Sequence, residues 1–131
     1  MTASDWTRAW TRANALLLVS WTRDPAHLAH PASRRLLELA LGVVTCRAGL
    51  DVHAHVVLPD RIHVIGALPA ALSWPAALGQ AKALHARWDA QRRGMARGLG
   101  SAWRPKVLVR PLSLGDLPAH LEQLRRLGKR A

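Results

Sequence analysis

The sequence predicts an α+β domain of the ferredoxin-like plan: a mostly antiparallel sheet of about four strands with helices packed on it. Three observations predict it. Within Asp51–Pro69, DVHAHVVLPDRIHVIGALP, two short β-branched-rich runs flank a Pro59-Asp60 turn, which is the pattern of a hairpin. Two longer segments, Ser33–Ala48 and Ser73–Arg93, repeat apolar residues at helical spacing. The elements follow one another as β-α-β-β-α-β-α, and split β-α-β units of this kind build an antiparallel sheet. The 131 residues suit one domain.

Met1–Ala13 is polar and reads as a flexible N-terminal arm. It carries Trp6-Thr7-Arg8 and Trp10-Thr11-Arg12, and the tripeptide recurs at Trp21-Thr22-Arg23. Trp offers a stacking face and Arg a phosphate partner, a pairing used on single-stranded nucleic acid; chance matches in a biased composition give the same repeats. Asn14–Trp21 is the first strand, and Asp24–Pro31 is a loop broken by prolines. In Ser33–Ala48, Leu36, Leu37, Ala40, Val43, Val44 and Ala48 form the stripe, with Pro31 and Ser33 at the start and Gly49 as the stop. Strands follow at about Asp51–Leu58 and Arg61–Leu68. The Ser73–Arg93 helix turns Trp74, Ala77, Leu78, Ala81, Leu84 and Trp88 inward. Gly94–Gly100 is a loop, Lys106–Arg110 a weakly alternating strand, and Pro118–Leu127 a helix with Leu117, Leu121, Leu124 and Leu127 on one face. Asp116 suits its cap.

The formal net charge is +11, with 16 Arg against 3 Lys. That balance points to polyanions, nucleic acid first, although drift of base composition enriches Arg and Ala in the same way. Cys46 is the single cysteine; it cannot close an internal disulfide, so a reducing cytoplasm is expected. Within its apolar pattern it reads as core. The apolar run Ala15–Val19 is too short for a signal h-region or a membrane span, and no membrane partner is expected. The chain has no Tyr and no Phe, which excludes a tyrosine nucleophile.

The run His53-Ala54-His55-Val56-Val57-Leu58-Pro59-Asp60-Arg61-Ile62-His63-Val64-Ile65 resembles the signature of the IS200-like, REP-associated tyrosine transposases. There the equivalent run reads A-aromatic-V-V-M-P-D/N-H-V-H-L-L. The resemblance extends in pattern over the Ser33–Ala48 helix, the lysine-bearing second helix and Trp103. It implies an HUH site, in which two histidines with one hydrophobic residue between them hold a divalent Mg or Mn ion. It also implies a tyrosine on a later helix that attacks DNA, and single-stranded or hairpin DNA as partner. The departures are specific. Arg61 stands at the first HUH histidine, and His63 alone is kept as metal ligand. In Lys82–Asp89, KALHARWD, which resembles the tyrosine helix, His85 falls at the nucleophile and Asp89 at an assisting amide. The family's Asn-Pro ending is absent.

The chemistry of these replacements can be read directly. Residues i and i+2 of a strand share a face, roughly 6.5–7 Å apart, so His-x-His grips one ion that polarises a phosphate. A guanidinium has no lone pair to give and stays charged. One imidazole on a basic protein is a poor site for a hard cation. Arg61 can instead hold a phosphate bidentately, or simply pair with an acid on the sheet surface. With an even hairpin loop, Val57 opposes Ile62, Val56 opposes His63 and His55 opposes Val64. His53 and His55 then face away from His63 and lie half-buried on the sheet, whereas a one-residue register change would bring them to its face as a three-histidine site. His85 and Asp89 are one helical turn apart; an Asp-oriented His is a usable base, and a surface His–Asp pair is the plainer reading. Arg61, Lys82, Arg87, Arg92, Arg93 and Arg97 are the candidate phosphate contacts. The expected function is that of a transposase-related DNA-binding protein, without a metal cofactor and inactive in tyrosine-dependent cleavage and transfer. A residual metal- or histidine-dependent nuclease and a decayed remnant without selected function are the alternatives.

Overall fold

The computed structural model describes residues 13–68, 73–94 and 102–130. The elements are β1 (Ala15–Thr22), α1 (Pro31–Ala48), β2 (Val52–Leu58), β3 (Arg61–Ala67), α2 (Trp74–Arg92), β4 (Trp103–Leu112) and α3 (Leu117–Arg130). This is the order the sequence predicts. The sheet runs β2-β3-β1-β4, and all three pairings are antiparallel. The first two Trp-Thr-Arg tripeptides and Arg97 lie outside the described residues. No helix among the described residues is long and apolar enough to cross a membrane.

The central strands explain the sequence pattern. β1 pairs on both edges and is covered on both faces, so it reads as an unbroken apolar run rather than an alternating one. β4 is an edge strand, which tolerates Pro105 and Pro111. It is longer than the predicted Lys106–Arg110, because Trp103 and Leu112 at its ends are buried and continue the pairing with β1.

Two cores sit on the two faces. On one, Ile62 and Val64 of β3 meet Leu37, Ala40, Leu41 and Val44 of α1 and Trp74, Ala77, Leu78 and Ala81 of α2. On the other, Leu17, Val19, Val56, Leu58 and Ile65 meet Leu124 of α3, with Leu117, Leu121 and Leu127 packed beside it. Each such side chain taken fully from water contributes about 1.5–3 kcal/mol, which fixes the strand register because a one-residue slip would exchange the faces. The predicted hairpin register holds: Val57 opposes Ile62, Val56 opposes His63 and His55 opposes Val64. A bulge falls between Val52 and Ala54, which leaves His53 as the extra residue. His53 and His55 are exposed rather than half-buried, since β2 is the sheet edge.

Three local expectations are corrected. His30, not Ser33, caps α1: its Nδ1 accepts from the Ala32 N–H at 3.0 Å. Ser33 lies inside the helix and is buried. Cys46 is exposed; the buried stripe of α1 passes through Leu41, Val44 and Thr45, a rotation away from it. Asp116 does not cap α3 with its side chain; it accepts from Ser113 Oγ instead. The stop at Gly49 is as expected, with φ at 68°.

Gly66 marks a close approach. An added Cβ would lie 2.2 Å from ring carbons of Trp74, whose Nε1 donates to the Ala67 carbonyl at 2.9 Å. Gly66→Ala is therefore expected to cost at least about 1–3 kcal/mol through forced repacking. Gly42→Ala, with nothing within 4 Å of its added Cβ in the middle of α1, should gain up to about 1 kcal/mol. Urea unfolding of the two variants checks both signs.

Candidate nucleic-acid interface

β3 places Arg61 and His63 on the α3 face of the sheet, because they alternate with Ile62 and Val64, which face α1 and α2. The two side chains bond to each other: Arg61 Nε donates to His63 Nε2 at 3.0 Å. Arg61 Nη1 donates to both carboxylate oxygens of Asp60, at 3.0 and 3.3 Å. The turn below is pinned to the end of β1, where Thr22 N–H and Thr22 Oγ1 both donate to the Asp60 carbonyl. Leu28 N–H donates to the Pro59 carbonyl. His63 titrates below its ordinary value, because burial penalises the imidazolium and Arg61 repels it, with Asp60 opposing. A neutral His63 that accepts at Nε2 is what this arrangement requires.

This donor set does not fit a divalent ion. The imidazole lone pair nearest Arg61 is taken by a guanidinium N–H, and the neighbouring position holds a fixed positive charge. No group of three or more His, Cys, Asp or Glu able to hold a metal occurs among the described residues. His55 cannot complete a site with His63, since it opposes Val64 and so faces the other way.

His85 and Asp89 are on the opposite side of the sheet from His63, and neither is a surface group. They continue the inward line Ala77, Ala81, His85, Asp89 of α2. His85 is 1% exposed and Asp89 4%. His85 Nε2 lies 3.1 Å from both Oγ and the carbonyl oxygen of Ser33 on α1, and its ring packs edge-on against His27 at 6.2 Å. Asp89 accepts from Arg92 at 2.9 Å and Arg93 at 3.1 Å. Burial pushes the Asp89 carboxyl up, but Arg92, Arg93, Ser33 and His85 together hold it below the ordinary value. The reading of His85 and Asp89 as a surface pair is thus corrected: the residues form a buried tie between α1 and α2. The helix that shares His63's face is α3.

The predicted phosphate contacts divide. Lys82 turns inward, donating to Ser20 Oγ at 2.5 Å and lying 4.8 Å from the centre of the Trp103 ring; burial lowers its pKa. Lys82 and Trp103, which the sequence offers as separate features, are one contact. Arg92 and Arg93 serve Asp89. Arg87 is exposed on α2. Arg61 and the end of α2 lie at the same end of the fold, on opposite faces, joined by the β1–α1 loop that touches Pro59 and His85. The sequence reading missed Ser33 and Ser20, whose only signal is a polar residue at an inward position of an otherwise apolar element.

No family model and no curated protein matches the chain. Solved structures do. A REP-associated tyrosine transposase bound to a REP hairpin superposes with a TM-score of 0.67 at 17% identity, over 86% of this chain and 65% of that one. The present chain therefore spans just under two thirds of that protein's length. A candidate transposase from Deinococcus radiodurans R1 superposes with a TM-score of 0.58 at 21% identity, over 88% of this chain and 91% of that one. The fold of the chain is the fold of these proteins.

The buried histidines give a pH dependence with a definite sign. His85 titrates below its ordinary value, mainly through burial, against Asp89 and Ser33. The unfolded chain then binds a proton that the folded chain does not, so stability is complete above about pH 6.5 and falls as pH drops below it. His27 and His63 are shifted the same way. The thermal midpoint should fall between about pH 7.5 and about pH 5, and His85→Gln, which keeps a donor for Ser33, should flatten part of that fall. Melting curves across pH check it; an unchanged slope in the variant would assign the effect elsewhere.

Proposed function

We propose that this protein is a transposase-related DNA-binding protein whose strand-cleaving site has become a phosphate-holding one. The observation that carries the reading is the Arg61–His63 hydrogen bond. Where the resemblance implies two metal ligands, an arginine is held by the remaining histidine on one side and by Asp60 on the other. The surface ion pair with Asp60 adds under about 1 kcal/mol of stability, so its main effect is orientation. Nη2 makes no hydrogen bond among the described residues, and it is the donor left for a phosphate oxygen. These 131 residues hold no tyrosine to serve as the attacking group. The likeness to a transposase bound to a REP hairpin supports DNA, in hairpin or single-stranded form, as the partner. An exposed free Cys46 suits a reducing cytoplasm.

The nuclease alternatives lack support in the geometry. Histidine-dependent cleavage needs His85 at a phosphate, yet its ring is buried and engaged with Ser33. Metal-dependent cleavage needs the lone pair that Arg61 occupies.

The test is a gel shift on hairpin, single-stranded and duplex DNA, with and without Mn²⁺, repeated under denaturing conditions. Hairpin or single-stranded DNA should shift, Mn²⁺ should change nothing, and no nick or covalent adduct should form. Arg61→Ala should weaken binding and lower the slope of log K against log salt by about 0.7–0.9, one phosphate contact. Mn²⁺-dependent cleavage, or binding that ignores salt, would overturn the proposal.

A further inference from the structure

The geometry points to a base-stacking platform on the corner of the sheet that α3 leaves uncovered, with single-stranded nucleic acid as its occupant. The inference rests on the DNA-binding reading above and adds where the strand lies and why it is single.

The strand registers lay out that face row by row. One row runs Val56, His63, Val19, Leu108 from β2 to β4, and the next runs Leu58, Arg61, Trp21. α3 covers the β2 end of both rows: Leu124 packs with Val56 and Leu58, and Gly128 abuts Val56. Beyond the buried Val19, the other end is open. Leu108 is 44% exposed, and Trp21 is half-buried against the core beneath it. Lys106 and Arg110 stand two residues either side of Leu108, both exposed; Arg110, opposite Leu17, shares its face by strand alternation, and Lys106 stands beside Trp21 where the β1–β4 register shifts. Neither β1 nor β4 carries a carboxylate. An apolar and aromatic floor is thus edged by Lys106, Arg110 and Arg61, with Asp60 already paired to Arg61.

A sheet floor with an aromatic ring and flanking cations is suited to unpaired bases, which stack on the ring while phosphates meet the cations. The open strip runs from Arg61 at the end of β3 past Trp21 at the end of β1 to Leu108 on β4, about 10–14 Å at the usual strand spacing. α3 stands beside it as a wall about 10–12 Å thick. A duplex offers no free base face to Trp21 and meets that wall before its backbone reaches all three cations. The third Trp-Thr-Arg tripeptide finds its use here. Thr22 turns inward to the Asp24 and Asp60 carbonyls, which holds Trp21 on the opposite, open face. None of the platform cations on β4 belongs to the α2 set that the sequence favoured.

The experiment is fluorescence anisotropy with a labelled oligothymidine and a duplex of equal length, across a salt series. Trp21→Leu should weaken the single strand about tenfold, the loss of one stacked base. Lys106→Ala with Arg110→Ala should lower its salt slope by about 1.4, two single-strand phosphate contacts. Leu108→Glu, at an exposed position where folding is not at stake, should also weaken it, and Arg87→Ala on α2 should not. If these β1 and β4 variants bind like the parent while Arg87→Ala weakens binding, the platform is wrong and the DNA reading stands. If the parent binds neither oligonucleotide, both fall.

Discussion

The two-sidedness of β3 governs this molecule. It pairs with β2 on one edge and β1 on the other, so it cannot move without breaking both ladders. Its alternation sends Ile62, Val64 and Gly66 under α1 and α2, and Arg61, His63 and Ile65 towards α3. Gly66 lets the Trp74 ring close down on the strand. Once that register is set, Arg61 and His63 must stand side by side on the more open face. Whatever binds there meets a site whose backbone is fixed by the core on the other side.

Side-by-side placement serves two histidines that share an ion, and it equally serves an arginine and a histidine that bond to each other. The second solution needs nothing from solution. A neutral imidazole accepts the Arg61 Nε–H, and the pinned Pro59-Asp60 turn supplies the carboxylate that takes Nη1. A guanidinium held on two sides keeps its planar fork aimed, which lowers the entropy lost when a phosphate arrives. The charge that an ion would bring is then carried permanently by the chain, and a fixed monovalent charge can bind a phosphate without the open coordination that activates it for cleavage.

Much of this was legible in the sequence. The element order, the hairpin register and the shared face of Arg61 and His63 follow from period-two alternation and the length of one turn. The α3 stripe followed from Leu117, Leu121, Leu124 and Leu127. What failed to show was polar and buried. His85 and Asp89 continue the inward spacing of Ala77 and Ala81, but a search for apolar residues passes over them, and their burial depends on Ser33, Arg92 and Arg93 arriving from outside the pattern. Lys82 misled for the converse reason: a lysine reads as surface until Ser20 and Trp103 are seen to receive it. Cys46 shows the limit of a stripe that the real helix rotates by a fraction of a turn. The openness of the Trp21–Leu108 corner could not be read at all, since it depends on where α3 crosses the sheet.

The central claim is that His63 holds Arg61 and not an ion, and the ring nitrogens of His63 report it directly. Long-range proton–nitrogen correlation spectra at neutral pH should show His63 protonated at Nδ1, with Nε2 accepting from Arg61, and titration with Zn²⁺ or Mg²⁺ should leave both nitrogen shifts in place. In Arg61→Ala the Nε2 resonance should move to that of an unbonded acceptor. A saturable, metal-dependent shift of His63 Nε2 in the parent protein would contradict the account.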